Sequence, residues 1–118
     1  MELSKGFSID PSCIWYDNHI HIKVTKLEES PTAEVTDNIK IGEERKGCCT
    51  IDSLPSKDKA FMMSVYERNG RSQEVGSWFH TSDVQDIVDY QVEAGILKSI
   101  KFLTINSIYL LEILKVEN

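Results

Sequence analysis

Two histidines stand two residues apart in a stretch that alternates polar and apolar side chains. His19 and His21 alternate with residues such as Ile22 and Val24. On a strand, residues i and i+2 project from the same face, so both imidazoles could bind one metal ion. A third ligand would have to come from a cysteine or from His80, and the spacing places none of these nearby. The pattern therefore favours the polar face of an antiparallel strand over a metal site.

The three cysteines do not form a disulfide pattern. Cys48 and Cys49 are adjacent, and Cys13 stands alone. Neighbouring residues of a strand face opposite sides, so we expect one of the paired thiols in the core and the other at the edge or surface. Arg45 and Lys46 could lower the pKa of an exposed thiol, but a buried inert cysteine is the commoner case. We predict reduced thiols and a cytoplasmic protein, since neither a signal peptide nor a membrane span is evident.

Motifs of nucleophilic and cofactor chemistry are missing from the sequence. The run His80-Thr81-Ser82-Asp83 holds the residue types of a catalytic triad. Neighbours in sequence rarely form a working triad, and Ser82 has a better use as a helix cap. No Gly-x-Ser-x-Gly, Gly-rich phosphate loop, Cys-x-x-Cys or His-Glu-x-x-His pattern occurs. The sequence predicts neither an enzyme nor a cofactor.

Two arginines flank a turn signal. Arg68 and Arg71 enclose Asn69-Gly70, and in a two-residue hairpin they would lie side by side with Tyr66. Such a pair could bind a phosphate or a carboxylate. The alternative is that both are solvated residues at an exposed loop, which is the usual fate of surface arginine.

Acidic residues dominate one interval of the chain. Between Arg71 and Lys98 there is no lysine or arginine, and the acidic residues there are Glu74, Asp83, Asp86, Asp89 and Glu93. The net charge of the whole chain is -6, which disfavours binding of nucleic acid. The acidic row is either a solvated face or a docking surface that steers a basic partner protein.

The acidic residues fall within a predicted helix over about residues 83–94. Ser82 followed by Gln85 matches a capping box, and Gly95 stands where a helix C-terminus is expected. Val84, Ile87, Val88 and Gln91 cluster on one side of this helix, opposite Asp86, Asp89 and Glu93. We expect an amphipathic helix laid on a sheet.

The remaining elements are predicted strands. A type I′ turn at Asn69-Gly70 would set Phe61 opposite Trp78 and bury Trp78 in the core. A turn at Asn106-Ser107 would set Lys101 opposite Glu112, with a helix from Ile108 as the alternative for residues 108–116. The strands expected from alternation and turn residues are Cys13–Leu27, Ala33–Ile41, Cys48–Leu54, Ala60–Arg68, Arg71–Phe79 and two C-terminal strands around residues 100–105 and 108–114.

Together these elements predict one α+β domain over residues 1–118. Its architecture would be a mostly antiparallel curved sheet of about five to seven strands, with one main helix packed on it. We expect a small acidic protein-binding module, such as an inhibitor, immunity protein or antitoxin that neutralises a basic nuclease toxin. One alternative is a metal-binding protein or enzyme that uses His19, His21 and a thiol. Another is a subunit of a larger assembly that uses the apolar C-terminal hairpin as an edge.

The turn at Asn69-Gly70 gives a first prediction. Gly70→Val should lower the free energy of unfolding by about 1–3 kcal/mol, because a β-branched residue resists positive φ. Urea denaturation followed by tryptophan fluorescence measures the change. Unaltered stability in this variant would argue against the turn.

Overall fold

The computed structural model describes residues 20–31, 33, 39–73 and 77–116. These residues form a seven-stranded antiparallel sheet and one short 3-10 turn at Ile51–Ser53. The strands are β1 (Ile20–Glu29), β2 (Glu44–Cys49), β3 (Ala60–Arg68), β4 (Arg71–Ser72), β5 (Trp78–Glu93), β6 (Ile96–Thr104) and β7 (Ser107–Val116).

The sheet closes on itself. Its strand order is β2-β1-β7-β6-β5-β3-β4, and β2 also pairs with β3. Six long strands therefore form a ring, and the two-residue β4 pairs with the end of β3. Each of the six ring strands pairs with the ring strands that precede and follow it in the sequence, and β7 pairs with β1. Closure leaves most strand edges hydrogen-bonded and encloses the core inside the ring.

Alternation of side chains fills the ring. Along β1, Ile20, Ile22, Val24 and Lys26 are buried, and the residues between them are partly exposed. The inward residues of the other strands pack against these, and four aromatic rings occupy the centre. Phe102 lies 5.4 Å from Tyr109 and 5.5 Å from Phe61, measured between ring centroids. The interior is thus packed with side chains, as expected for a ring of six strands.

A lysine is buried at one end of β1. The Lys26 ammonium donates to the Glu29 carboxylate at 2.8 Å and to the Ile39 carbonyl at 3.1 Å. Its side chain is fully buried, whereas that of Glu29 is partly exposed. A buried charge is tolerated only when it is paired and hydrogen-bonded, and both conditions are met here. Lys26 therefore ties the chain segment at Ile39 to β1.

The predicted α+β class and its main helix are wrong. Residues 83–94 belong to β5 and the turn that follows it, and the described residues contain no α-helix. Nor do these residues contain any helix long and apolar enough to cross a membrane. Register shifts add an extra residue to β5 after Val84 and after Ile87, so Val84, Ile87 and Tyr90 all pair with buried residues of β6. In a regular strand the residues that face the core are two positions apart. The bulges make this spacing three in β5, which resembles the spacing of apolar residues in a helix.

The residues predicted as helix caps have other roles. Gly95 follows Ala94 in the tight turn between β5 and β6, and both have positive φ, 79° and 52°. Positive φ at both residues is the geometry of a type I′ hairpin turn. A helix C-terminus commonly has a glycine with positive φ as well, so a single glycine fits both structures. The Ser82 hydroxyl is buried within β5 and has no hydrogen-bond partner in the described part of the chain.

The hairpin turn at Asn69-Gly70 is confirmed, but the predicted burial of Trp78 is wrong. Asn69 and Gly70 both have positive φ, and Arg68 pairs with Arg71. Farther from the turn the register changes by three residues, so Trp78 pairs with Ser64 rather than Phe61. An odd shift moves a strand residue to the other face of the sheet. Trp78 is consequently 63% exposed on the outer surface.

At the C-terminus the strand alternative is correct and the predicted register is not. β7 covers residues 107–116, and Phe102 pairs with Tyr109. Glu112 lies opposite Ser99 instead of Lys101, because the turn is formed by Ile105 and Asn106. Glu112 instead forms an ion pair of 3.4 Å with Lys23.

The N-terminal strands differ from expectation mainly in their bounds. β1 begins at Ile20 within the described residues, and residues 13–19 of the predicted first strand lie outside them. Most of the predicted strand Ala33–Ile41 also lies outside, and its described residues 33 and 39–41 are not in a strand. The predicted strand Cys48–Leu54 is wrong beyond its first two residues, because β2 spans Glu44–Cys49 and a 3-10 turn follows at Ile51–Ser53.

One glycine permits the closure of the ring. Gly47 pairs with Val65 across the β2–β3 seam, where the register shifts between Lys46 and Gly47. A Cβ atom at this position would overlap the backbone carbonyl of Ser64. Because the obstacle is backbone, rotation of a side chain cannot relieve it, and the two strands would have to separate.

Gly47→Ala should therefore destabilise the fold by about 3 kcal/mol, near the upper end of the cost of overpacking. Gly95→Asn is the matched control, since its Cβ would meet no atom within 4 Å and Asn tolerates positive φ. Chemical denaturation of both variants measures the difference. Equal stability of the two variants would mean that the seam adapts without cost.

Candidate functional site

The four described residues of the acidic row all lie on one strand. Asp83, Asp86, Asp89 and Glu93 belong to β5 and are exposed, and Glu74 lies outside the described residues. They do not form the stripe of a helix. Instead they are distributed along an extended strand about 16 residues long, whose two halves have different neighbours.

The second half of β5 has a free edge, that is, an edge with which no other described strand pairs. β3 pairs with β5 only over residues 78–83, and two backbone hydrogen bonds that join Val84 to Asp58 and Lys59 end this contact. Within the described part of the chain, residues 86–93 pair with β6 alone. Among the described residues, the other edge of this segment therefore has no partner strand. Such an edge is a template for pairing with another chain.

Three large apolar side chains are exposed along the same segment. Val88, Tyr90 and Val92 are 48%, 43% and 47% exposed. Tyr90 and Val92 lie opposite Ile100 and Leu97, which are buried in the core. The apolar surface of the edge thus continues the core outward. Exposed apolar groups gathered on one segment mark an interaction site more strongly than scattered ones do.

A groove lies beside this edge. It has a volume of about 510 Å³ and is lined by Pro55, Ser56 and Lys57 on one side and by residues 86–90 of β5 on the other. The loop of residues 55–57 follows the 3-10 turn and precedes β3. The groove therefore opens where β3 diverges from β5, and it leaves space for side chains of an added segment.

The edge carries negative charge that the described residues leave largely unpaired. Asp86 and Glu93 form no ion pair with any described residue. Asp89 accepts a hydrogen bond from the Tyr90 backbone N–H at 2.8 Å and one from the Gln91 side chain at 3.3 Å. Lys101 pairs with Asp89 across the two strands, so one cation lies nearby on β6. We define the acidic edge as residues 86–93 of β5.

A second cluster occupies the outer face of the sheet. His21 lies directly opposite Cys48 across β1 and β2, and its Nδ1 is 3.2 Å from the Tyr66 hydroxyl. Such a pair could supply two donors to a metal ion, but His19 lies outside the described residues. The described residues contain no group of three histidine, cysteine or acidic side chains that could hold a metal. The cluster offers a thiol and an imidazole on a surface.

The two adjacent cysteines face opposite sides of β2, as predicted. Cys49 is buried in the core, whereas Cys48 is partly exposed beside His21. Burial raises the pKa of Cys49 to about 12, with a smaller contribution from Cys48. The Cys49 thiol is therefore protonated and inert at neutral pH.

The C-terminal hairpin does not provide an edge. β6 lies between β5 and β7, and β7 lies between β6 and β1. Its apolar residues are instead the centre of the core, where Ile100, Phe102 and Leu111 are fully buried.

The acidic residues are evident in the sequence, but the free edge on which they lie is not. The free edge depends on where β3 stops pairing with β5, which no local pattern reveals. A usable signal was present in the alternation of Val88, Tyr90 and Val92 with polar residues, which has the period of a strand.

No protein-family model matches the sequence, and the curated proteins and solved structures likewise yield no significant match.

The environments of the two cysteines predict different reactivity. In a Cys13→Ser background, an aromatic disulfide reagent at pH 7.5 should modify one thiol of the native protein quickly, and peptide mapping should identify it as Cys48. Cys49 should react only as the protein unfolds, because its thiolate is scarcely populated. Equal rates for both thiols would contradict this placement.

Proposed function

We propose that the protein is a binding module that captures an extended, basic segment of a partner protein by strand addition at the acidic edge. The observation that carries this proposal is the absence of a second partner strand for residues 86–93 among the described residues. The same segment exposes three apolar side chains and several carboxylates. A free edge, an apolar row and a uniform charge together favour an extended peptide as the ligand.

In strand addition, backbone hydrogen bonds supply affinity and alternate side chains supply specificity. The partner residues on one face would pack against Tyr90 and Val92. Those near the groove would contact Pro55 and Ile87. The Asp89 carboxylate occupies the Tyr90 backbone N–H in the free protein, which protects part of the strand until a partner arrives.

The charge of the edge supports a basic ligand. Asp83, Asp86 and Glu93 add to the field of a chain whose net charge is -6. Complementary charge raises the association rate and rejects acidic competitors. An alternation of lysine or arginine with apolar residues would match both properties of the edge.

An inhibitor, immunity or antitoxin role is the physiological form that we propose for this binding. In the cytoplasm, such a protein would neutralise a basic partner, such as a nuclease toxin, by occupying a surface that the partner needs. No catalytic step is part of this proposal.

A selection from a display library of random ten-residue peptides tests the proposed ligand class. The enriched peptides should alternate basic and apolar residues, and ¹⁵N-labelled protein should show amide shifts at residues 55–57 and 85–93. Enrichment of acidic peptides, or shifts confined to another surface, would overturn the proposal.

The contribution of charge is tested by Asp86→Lys/Glu93→Lys. This variant spares Asp89, whose carboxylate bonds the backbone. It should fold normally and slow the association of an enriched peptide by about tenfold, and added salt should reduce the wild-type rate. The control Glu28→Lys/Asp52→Lys changes the net charge equally at exposed sites outside β5. A similar loss in both variants would assign the effect to overall charge.

A further inference from the structure

Three arginines form a row across three adjacent strands. Arg45 of β2 pairs with Arg68 of β3, and Arg68 pairs with Arg71 of β4. Residues paired in this way share a face of the sheet, so the three side chains leave the sheet on one side. Like charges placed directly opposite each other destabilise a sheet, and guanidinium groups cannot lose their charge. The row is therefore a local cost in a protein that is acidic overall.

Local carboxylates compensate for this cost only in part. Arg45 lies 3.8 Å from Glu43 and donates to the Glu44 carbonyl at 3.1 Å. Burial and the charge of Arg68 lower the pKa of Arg45. Arg68 and Arg71 are exposed, and neither forms an ion pair with the described residues. Among the described residues, these three cations thus have one carboxylate beside them.

That carboxylate is already engaged. One oxygen of Glu43 accepts the Lys40 backbone N–H at 2.6 Å, and the other accepts the Asn69 side-chain N–H at 2.7 Å. These bonds and the neighbouring arginines lower the pKa of Glu43, so it stays ionised. Its oxygens are directed at Lys40 and Asn69, and no described carboxylate forms an ion pair with Arg68 or Arg71.

The hairpin tip that holds the arginines is fixed. Asn69 accepts the Glu44 backbone N–H through its side chain at 2.7 Å, and its own N–H donates to the Glu44 carbonyl at 3.0 Å. Gln73 donates from its backbone to the Tyr66 carbonyl at 2.9 Å, beyond the turn. The backbone under Arg68 and Arg71 is therefore held before any ligand binds, which lowers the ordering cost of binding.

A cavity lies at this position. It has a volume of about 500 Å³ and is lined by Glu43, Arg68, Asn69, Arg71 and Gln73. This volume lies in the range of small-molecule sites, the pocket is open to solvent on one side, and every residue that lines it has a polar or charged side chain. The planar donor forks of two arginines match the oxygens of a phosphate group in geometry and charge.

We infer that this cavity binds a small-molecule phosphate monoester through Arg68 and Arg71, with Arg45 behind them adding to the positive field. The two guanidinium groups of Arg68 and Arg71 balance a phosphate dianion, whereas a monoanion leaves one charge unmatched. Glu43 repels the anion and confines it to the side of the cavity formed by the two arginines. This site does not depend on the function proposed for the acidic edge.

Titrations of ¹⁵N-labelled protein with methyl phosphate and with methyl sulfate, at constant ionic strength, test the inference. At pH 7.5 methyl phosphate should give saturable shifts at residues 68–73 and bind at least about fivefold more tightly than the sulfate monoanion. Between pH 7.5 and 5 the preference should vanish, because the dianion of a phosphate monoester takes up one proton at about pH 6 and becomes a monoanion. A preference that persists at pH 5, or the absence of saturable shifts, would overturn the inference.

Substitution of the two arginines tests whether they bind the phosphate. Arg68→Gln and Arg71→Gln should each weaken methyl phosphate binding by about tenfold, and their combination should abolish it. Without ligand and at low salt, the double variant should melt at or above the wild-type temperature, because a repulsion has been removed. The control Lys57→Gln/Lys59→Gln removes the same charge from exposed lysines. Equal weakening in the control would show only a response to overall charge.

Binding of a phosphoserine peptide distinguishes a small-molecule ligand from a phosphorylated protein segment. The same affinity for methyl phosphate and for the peptide would agree with recognition of the phosphate group alone. Binding of the peptide without binding of methyl phosphate would overturn the assignment to a small molecule and indicate a phosphorylated protein segment instead.

Discussion

The pairing of β2 with β3 is the interaction on which the rest of the structure depends. It joins the two ends of the sheet order, and without it the ring of six strands would be an open sheet with two long edges. Gly47 allows the close approach of the two backbones at this seam. Closure in turn determines which residues are inside, because the alternation along every strand is fixed once its neighbours are fixed.

The long strand β5 shows how a closed ring can still present a surface for binding. Its first half completes the ring through β3, and its second half follows β6 beyond the point at which β3 departs. The bulges in β5 keep Val84, Ile87 and Tyr90 opposite buried residues of β6. They also bend the strand and raise its twist, which separates its free edge from β3. The groove and the acidic edge are consequences of that separation.

Charge is distributed differently on the free half of β5 and on the rest of the ring. Asp86 and Glu93, which form no ion pair with a described residue, lie on the free half of β5, whereas Lys23, Lys26 and Lys46 of the ring are paired with carboxylates. The arginine row lies at the β2–β3–β4 end of the seam. An acidic chain thus places three arginines together at the hairpin that adjoins the seam.

Local patterns were enough to predict some features of this protein. The Asn69-Gly70 turn, the opposite faces of Cys48 and Cys49 and the strand character of residues 108–116 depend on a few neighbouring residues. Turn geometry and alternation are local energies, so they can be inferred from the chain alone. The residue types of the acidic row and of the arginine pair were evident in the same way, although their surroundings were not.

Only the tertiary structure decided the registers, the bulges and the closure of the ring. A three-residue shift between Arg71 and Trp78 moved that tryptophan from the expected core to the surface, and two bulges gave β5 the spacing of a helix. The arginine row exists only because β2 pairs with β3 in one particular register. Each of these outcomes depends on contacts between residues far apart in sequence, where the burial of a whole face outweighs the local preference of any one segment.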